Sequence, residues 1–564
     1  MRIALAQINP FVGDLKGNSE IILAACRNAI NADANLLLTP ELSLWGYPPR
    51  DLLFNTLLFE DQDDFLNKIS KFISLEAKNF GVLIGIAEPC DDKQLPKLFN
   101  SVVLVDSSGW RVVARKQLLP TYDVFDEKRY FRPAEPIGTF VFKADQNSWH
   151  LGITICEDLW VEEEIQGQRL LGPDPIAKFE CQRIDLLINL SASPFSNHKV
   201  SLRHKLATKA VERLNCPLIY LNQIGANDEL IFDGSSFALD KNAELVLRLP
   251  VCRESFAIWD AATQEDVSDL VSYTQQEELF EVLVLGVRDY ARKCGFDTAL
   301  IGLSGGIDSA LVATIATAAL GAANVTGLLL PSPWSSVGSI DDALDLVKRL
   351  GISSKLLPIE DLINSFNEAL KTPLGNLPEG TTAENLQSRI RGTLLMALAN
   401  QKGHLLLSTG NKSEIAVGYC TLYGDMNGGL SVIGDLYKTC VFDLCKWIDS
   451  SSSSQCRLAL GLSSHGEIIG ETIRNKPPSA ELRPGQLDSD SLPPYDLLDP
   501  ILQSFIEHRL TAQDLINAGH SPELIKQIEN LLKKAEFKRR QAPPLLKVSS
   551  QAFGSGWRLP IAAK

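Results

Sequence analysis

Eight residues, Gly302-Leu-Ser-Gly-Gly-Ile-Asp-Ser309, constrain this chain more than any other stretch. An apolar run, Thr298-Ala-Leu-Ile301, leads into them, and a helical pattern, Ala310-Leu-Val-Ala-Thr-Ile-Ala-Thr-Ala-Ala-Leu320, follows. Strand, glycine turn and helix start therefore come in the order that builds an anion cradle. Glycines let the backbone turn tightly and approach a ligand, and the unpaired N–H groups of the helix start point at it. Ser304 and Ser309 add hydroxyl donors. The candidate cradle is Gly302, Leu303, Ser304, Gly305, Gly306, Ile307, Asp308 and Ser309.

The lysine of the common nucleotide loop, G-x-x-x-x-G-K-[ST], is missing, and a carboxylate, Asp308, stands in the turn instead. A carboxylate beside phosphates is repelled unless a divalent cation bridges them, so Asp308 predicts Mg²⁺. The pattern S-G-G-x-D-S resembles the loop of ATP pyrophosphatases, which cleave ATP between its α- and β-phosphates and leave AMP on a substrate.

At 564 residues the chain exceeds what one core supports, and two or more domains are expected. Eleven cysteines, an odd number without paired short spacings, predict reduced thiols of a cytoplasmic protein rather than a disulfide framework. Cys440 and Cys445 have no His or Cys partners nearby, which argues against zinc. The N-terminus, Met1-Arg-Ile-Ala-Leu-Ala-Gln-Ile-Asn-Pro10, reads as a first strand rather than a signal peptide, and no apolar stretch is long enough for a membrane span. A net charge of −15 disfavours nucleic acid as a partner. An anionic nucleotide must then be held by local positive charge, which draws attention to Arg389, Arg391, Lys412, Lys438, Lys476 and the Lys538-Arg-Arg540 cluster.

Residues 1–265 alternate helical stretches with short apolar runs: Ile3–Ile8, Leu36–Leu38, Val82–Ile86, Val102–Val105, Gly152–Ile155, Leu186–Asn189 and Leu218–Leu221. That alternation predicts an α/β domain with buried strands. The chain turns polar and acidic around Ala261–Gln276, so a linker is expected at 266–280 and a second α/β domain at 281–564. The serine run after Asp449, extending to Gly466, reads as a mobile loop, and so does Lys476-Pro-Pro-Ser-Ala-Glu-Leu-Arg-Pro-Gly-Gln486.

In the first half, Leu151-Gly-Ile-Thr-Ile-Cys156 places Cys156 at the end of a buried strand, where open α/β sheets carry their sites. Glu41 in Leu36-Leu-Leu-Thr-Pro-Glu41 and Lys116 in Val112-Val-Ala-Arg-Lys116 end two other runs. The three residues fit one chemistry: a Glu takes a thiol proton, the thiolate attacks an amide carbon, and a Lys stabilises the oxyanion. Taken singly, each also reads as an ordinary buried thiol, edge carboxylate or surface lysine. In this order and with these flanks, the set resembles the carbon–nitrogen hydrolase (nitrilase) superfamily. The resemblance implies a four-layer αββα sandwich, with Glu41 as general base, Lys116 as oxyanion stabiliser and Cys156 as nucleophile.

Fusion of the two halves resembles the glutamine-dependent NAD⁺ synthetases along nearly the whole chain. The resemblance implies that the first domain hydrolyses glutamine, while the second adenylates the nicotinate carboxylate of deamido-NAD⁺ and lets ammonia displace AMP. It implies glutamine contacts at Tyr122, Glu157, Ser193 and Lys199. It further implies an ATP contact at Thr409 in Leu405-Leu-Leu-Ser-Thr409, and Mg²⁺ at Asp308 and Glu414. Deamido-NAD⁺ contacts are implied at Asn385, Arg389, Glu414, Lys438 and Lys538. A homo-oligomer is implied because related synthetase domains bind the dinucleotide at a dimer interface. The Ser450–Gly466 run departs from the pattern as a longer lid segment. Rival readings are another ATP-pyrophosphatase amidotransferase, an ammonia-fed synthetase whose first domain is only structural, and a silent nucleotide sensor.

Overall fold

The computed structural model describes residues 1–90, 95–135, 139–144, 147–162, 172–264 and 273–563. The chain divides into two compact units, Met1–Tyr273 and Thr274–Lys564. Residues 266–272 of the expected linker lie outside the described residues, and the helix Gln275–Cys294 begins within the remainder.

In the first unit the strands in chain order are β1 (Arg2–Gln7), β2 (Leu36–Leu38), β3 (Gly81–Pro89), β4 (Leu98–Asp106), β5 (Gly109–Arg115), β6 (Phe140–Ala144) and β7 (Asn147–Ile155). They continue with β8 (Leu186–Ser191), β9 (Leu218–Asn222), β10 (Ile224–Asn227), β11 (Leu230–Asp233), β12 (Phe237–Leu239), β13 (Leu245–Arg248) and β14 (Ser255–Asp260). They form two six-stranded sheets, ordered β14-β1-β2-β3-β4-β5 and β13-β12-β9-β8-β7-β6, and a separate β10–β11 hairpin. The central strands of each sheet are parallel, β1 to β2 to β3 and β7 to β8 to β9.

Side-chain alternation shows how the layers stack. Ile3 and Leu5 of β1 share a core with Leu38, Ile153, Leu186 and Ile188 between the sheets. Ala4 and Ala6 face the other way, onto a core shared with Ile22 and Ile69 of the helices Leu15–Asn31 and Leu57–Glu76. Leu187 and Leu218 pack on Leu206 and Ala210 of the helix Lys199–Leu214. The result is helix, sheet, sheet, helix: the αββα sandwich that the nitrilase resemblance implies. Because both sheets are covered on both faces, their strands read as unbroken apolar runs.

The second unit is built on a fully parallel sheet of β15 (Ala299–Gly302), β16 (Val325–Leu329), β17 (Ser353–Leu356), β18 (Leu405–Ser408) and β19 (Leu430–Ser431), in the order β17-β16-β15-β18-β19. The strand order reverses between β15 and β18, and the crevice beyond such a reversal is where open α/β sheets take their ligands. The helix Ile307–Leu320 follows β15 and is buried along nearly its whole length, which explains why its sequence is apolar all round.

The serine run contradicts its expected loop character. Ser451–Ser453 forms a 3-10 turn and Ser454–Ala459 a helix, with Ser453 and Arg457 buried and both donating to the Ile448 carbonyl. Serine hydroxyls bond nearby carbonyls, so a serine run can start a helix as readily as it can form a loop. Asp449 accepts the N–H groups of Ile468, Ile469 and Gly470 and pairs with Arg474, which pins the far end of the segment.

Candidate active sites

In the first unit, Glu41 comes three residues after β2, and Lys116 and Cys156 directly follow β5 and β7. Gly85 of β3 runs directly under the Glu41 turn: a Cβ there would lie 2.1 Å from Leu42 N, so only glycine permits that approach. Lys116 Nζ lies 2.8 Å from Glu41 Oε1 and 2.8 Å from Glu127 Oε1, with all three residues buried. Asn100 Nδ2 donates to Glu41 Oε1 and the Ala192 N–H to Glu41 Oε2, at 2.7 and 2.9 Å. Tyr47 donates to Glu127.

Burial alone would push Lys116 down, but Glu127 and Glu41 overcome it and hold its pKa well above that of an ordinary lysine. Burial pushes Glu127 up to about 7, because one ammonium serves two carboxylates and only partly offsets the loss of water. Cys156 adopts a left-handed backbone, φ 48°, and opens a short 3-10 turn, Cys156–Leu159. Burial and the Glu41 charge push its thiol well up, with Lys116 opposing. The resting side chain is therefore a neutral thiol whose proton must leave as it attacks, and Glu41 is the carboxylate that acts most strongly on it.

Tyr122 donates to Glu157 Oε1 at 3.0 Å, while Glu157 Oε2 is buried without a hydrogen-bond partner among the described residues. Burial raises the Glu157 pKa, with Lys199 the strongest opposing charge. Lys199 lies over the Trp160 and Phe125 rings at 5.2 and 5.8 Å. A buried carboxylate oxygen left open beside aromatic rings suits an ammonium group. Ser193 is tied differently: its hydroxyl accepts from Arg203, which forms a buried pair with Asp233. Glu127 and Asp158, like Tyr47 and Asn100, are members of this site that the sequence reading did not single out. The two acids lie in short 3-10 turns next to another acid, Asp126 and Glu157, and the sole signal for Glu127 was its place in the stretch Pro120–Tyr130 around Tyr122.

In the second unit a cavity of about 590 Å³ opens at the sheet reversal, lined by Gly302, Ser304, Asp308, Thr409, Glu414 and Lys438 among others. Gly305 has φ +74° and a Cβ there would lie 2.1 Å from the Ser339 carbonyl oxygen, so the turn can only be closed by glycine. Ser309 Oγ bonds the Ser304 N–H and hydroxyl and donates to the Gly306 carbonyl. Lys438 Nζ meets Asp308 Oδ2 at 2.5 Å and Glu414 Oε1 at 3.4 Å. Asn411 Nδ2 donates to Asp308 Oδ1 at 3.0 Å. Burial raises Glu414 to about 8, against the pull of Lys438, and Asp308 and Glu414 together raise Lys438 despite its own burial.

Two carboxylates on the wall beside a phosphate-sized turn are the donor set that Mg²⁺ takes together with nucleotide phosphates. The residues fit the ion, with Lys438 close enough to share the same charge. Lys476, from the loop-like Lys476–Gln486 segment, reaches the Gly305 carbonyl and Ser339 at 3.2 Å each and pairs with Asp342.

Asn385, Arg389 and Lys538 stand outside the cavity lining, yet all three hold one loop. Asn385 accepts from Thr421, Arg389 donates to the Leu422 carbonyl, and Lys538 donates to the Gly418 and Cys420 carbonyls. That loop supplies Tyr419, Cys420, Gly424 and Asp425 to the cavity wall. Arg391 lines the cavity, its pKa pushed down to about 10 by burial. Lys412 is a correction to the sequence reading: it is wholly buried, paired with Asp435 at 2.9 Å and Glu507 at 3.4 Å, and it donates to Ser549 and the Gln551 carbonyl. Next to a phosphate motif a lysine looks like an anion ligand, but the helix start turns this one into the core.

Residues 2–260 match the carbon-nitrogen hydrolase family and residues 279–542 the NAD synthase family. The glutamine-dependent NAD(+) synthetase of Synechocystis sp. is 47% identical over 99% of this chain and 98% of its own length. That of Thermotoga maritima is 38% identical over 100% of this chain and 98% of its own. This chain belongs to the glutamine-dependent NAD(+) synthetase family. A solved synthetase of this family, from Acinetobacter baumannii in complex with adenosine diphosphate, superposes with a TM-score of 0.75 at 34% identity, covering 99% of this chain and 98% of that one.

Proposed function

We propose that this chain makes NAD⁺ from deamido-NAD⁺, ATP and L-glutamine, releasing AMP, diphosphate and L-glutamate. The observation that carries the proposal is the pair of sites: a dry Glu–Lys–Cys set in one unit and an S-G-G-x-D-S cradle over a cavity in the other.

In the first unit, Glu41 takes the Cys156 proton as sulfur attacks the glutamine amide carbon. Lys116, kept charged by its two carboxylates, faces the developing oxyanion without any reorganisation. Glu41 passes the thiol proton to the amide nitrogen as ammonia leaves, and water, losing a proton to Glu41, hydrolyses the thioester to glutamate and frees the Cys156 thiol. Glu157 and Tyr122 receive the α-ammonium of glutamine, Lys199 its carboxylate, and Ser193 steadies the pocket wall.

In the second unit, the residues Gly302–Ser309 and Thr409 hold the ATP phosphates, and Asn385, Arg389 and Lys538 order the loop over which deamido-NAD⁺ lies. Asp308 and Glu414 would hold Mg²⁺, which neutralises phosphate charge when bound. Lys438 stands between those carboxylates and the phosphates. The nicotinate oxygen attacks the α-phosphorus and diphosphate leaves; ammonia then displaces AMP from the acyl adenylate. Free ammonia is mostly protonated in neutral water, so the coupled reaction calls for a transfer shielded from water.

The protein is a cytoplasmic homo-oligomer in this reading. Among the described residues no helix is long and apolar enough to cross a membrane. The helix Glu360–Leu374 has no buried residue although it carries Leu362, Phe366 and Leu374, an apolar face that a second copy would cover.

Asp308→Ala tests the metal and phosphate roles: diphosphate release should be abolished while glutamine hydrolysis persists. Wild-type diphosphate release in that variant contradicts the assignment.

A further inference from the structure

Asp158, two residues after the nucleophile, is 1% exposed, and its two oxygens accept three backbone N–H groups. Oδ1 takes those of Gln117 and Leu118, at 2.9 and 2.8 Å; Oδ2 takes that of Ile155, at 3.2 Å. Gln117 and Leu118 directly follow Lys116, and Ile155 directly precedes Cys156. A single carboxylate thus joins the backbone that presents the ammonium to the backbone that presents the thiol, although the two lie in different sheets.

We propose that Asp158 is a positioning residue of the glutaminase reaction, its carboxylate fixing the separation between Lys116 and Cys156. The inference rests on the glutaminase reading of this site. Both oxygens are engaged by backbone donors, so Asp158 is not a second general base. Its charge is held by peptide dipoles with Lys116 as the cation in its surroundings, and burial pushes its pKa up to about 7. A buried carboxylate without a direct counter-ion is costly, and such costs persist where geometry must be held. Cys156 shows why it must be held here: its left-handed backbone, φ 48°, is kept only if both flanks of the turn are tied down. A carboxylate is the one short side chain that accepts at every lone pair. Asparagine in its place keeps the bonds to Gln117 and Leu118 through its oxygen but turns an NH₂ toward the Ile155 N–H, and alanine loses all three.

The test compares wild type, Asp158→Asn and Asp158→Ala in the full chain. Glutamine hydrolysis is read as kcat per competent site, counted by stoichiometric labelling of Cys156 with a glutamine-like diazoketone. Ammonium-driven NAD⁺ synthesis is measured alongside. Expected is a graded fall in kcat per labelled site, about tenfold for Asn and about 100-fold for Ala, as for a sub-ångström to ångström misplacement of reacting groups. KM for glutamine should stay within about twofold and ammonium-driven synthesis should be unchanged. If Asp158→Ala does not fold, the Asn value decides by itself. Wild-type kcat per labelled site in the variants overturns the positioning role, and so does a rise in KM that accounts for the whole loss. A wild type that hydrolyses no glutamine sinks the underlying reading instead, so the two failures are distinguishable.

Discussion

The first unit holds its charges dry and already paired, whereas the second leaves its acidic groups on the wall of an open cavity. Lys116 and Glu41 are 1% and 0% exposed, while Asp308 and Glu414 keep 19% and 18% of their side-chain surface. The substrates account for the contrast. A glutamine amide is neutral and develops its charge only in the transition state, so the stabilising ammonium must be in place beforehand and shielded from water. ATP and deamido-NAD⁺ arrive as polyanions with their own counter-ions, so the second site needs room and partly exposed ligands. The Asp308 and Glu414 carboxylates keep a face to the cavity even while paired with Lys438.

That contrast can be tested at Lys412, a lysine beside the second unit's phosphate region that is as dry as Lys116. Lys412→Met should destabilise the second unit by about 3–5 kcal/mol, because it strands Asp435 without a cation in the core. Denaturant unfolding checks this, with KM for ATP expected within about threefold of wild type. A stable variant with a large rise in that KM would mean that Lys412 serves the nucleotide after all.

A smaller effect sharpens the same comparison in the first unit. The folded-state pKa of Glu127, about 7, lies above its ordinary 4.5. Its stability contribution is therefore fully present below about pH 4.5 and is lost as pH rises through 7. The stability of wild type relative to Glu127→Gln should fall between pH 5 and 8 by a few degrees in melting temperature. A pH-independent difference would mean that Glu127 stays ionised throughout and that Lys116 is shared evenly.

Much of the architecture was legible because it rests on short-range patterns. The apolar runs at Ile3–Ile8 and Leu186–Asn189 became central strands, and the glycine turn lies between β15 and the helix Ile307–Leu320 as its flanks indicated. What stayed hidden is set by tertiary partners. Glu127 and Asp158 each sit beside another acid in a short 3-10 turn, and nothing in their sequence neighbours shows that one meets Lys116 and the other bridges two strand ends. Lys412 looked like an anion ligand because of the company it keeps in sequence, and only the fold shows Asp435 beneath it. The serine run illustrates the converse: a composition typical of loops starts a helix when Asp449 and the Ile448 carbonyl give it anchors.

In the proposed reaction two chemically separate sites divide the labour. The measurement that tests this most directly is NAD⁺ and AMP formation from deamido-NAD⁺ and Mg-ATP by wild type and Cys156→Ala, each supplied with glutamine or with ammonium. Wild type should use both donors. The variant should lose glutamine-driven synthesis by about 10⁴-fold or more, as expected for removing a nucleophile, and keep ammonium-driven synthesis. Glutamine-driven synthesis that survives in Cys156→Ala would contradict the account.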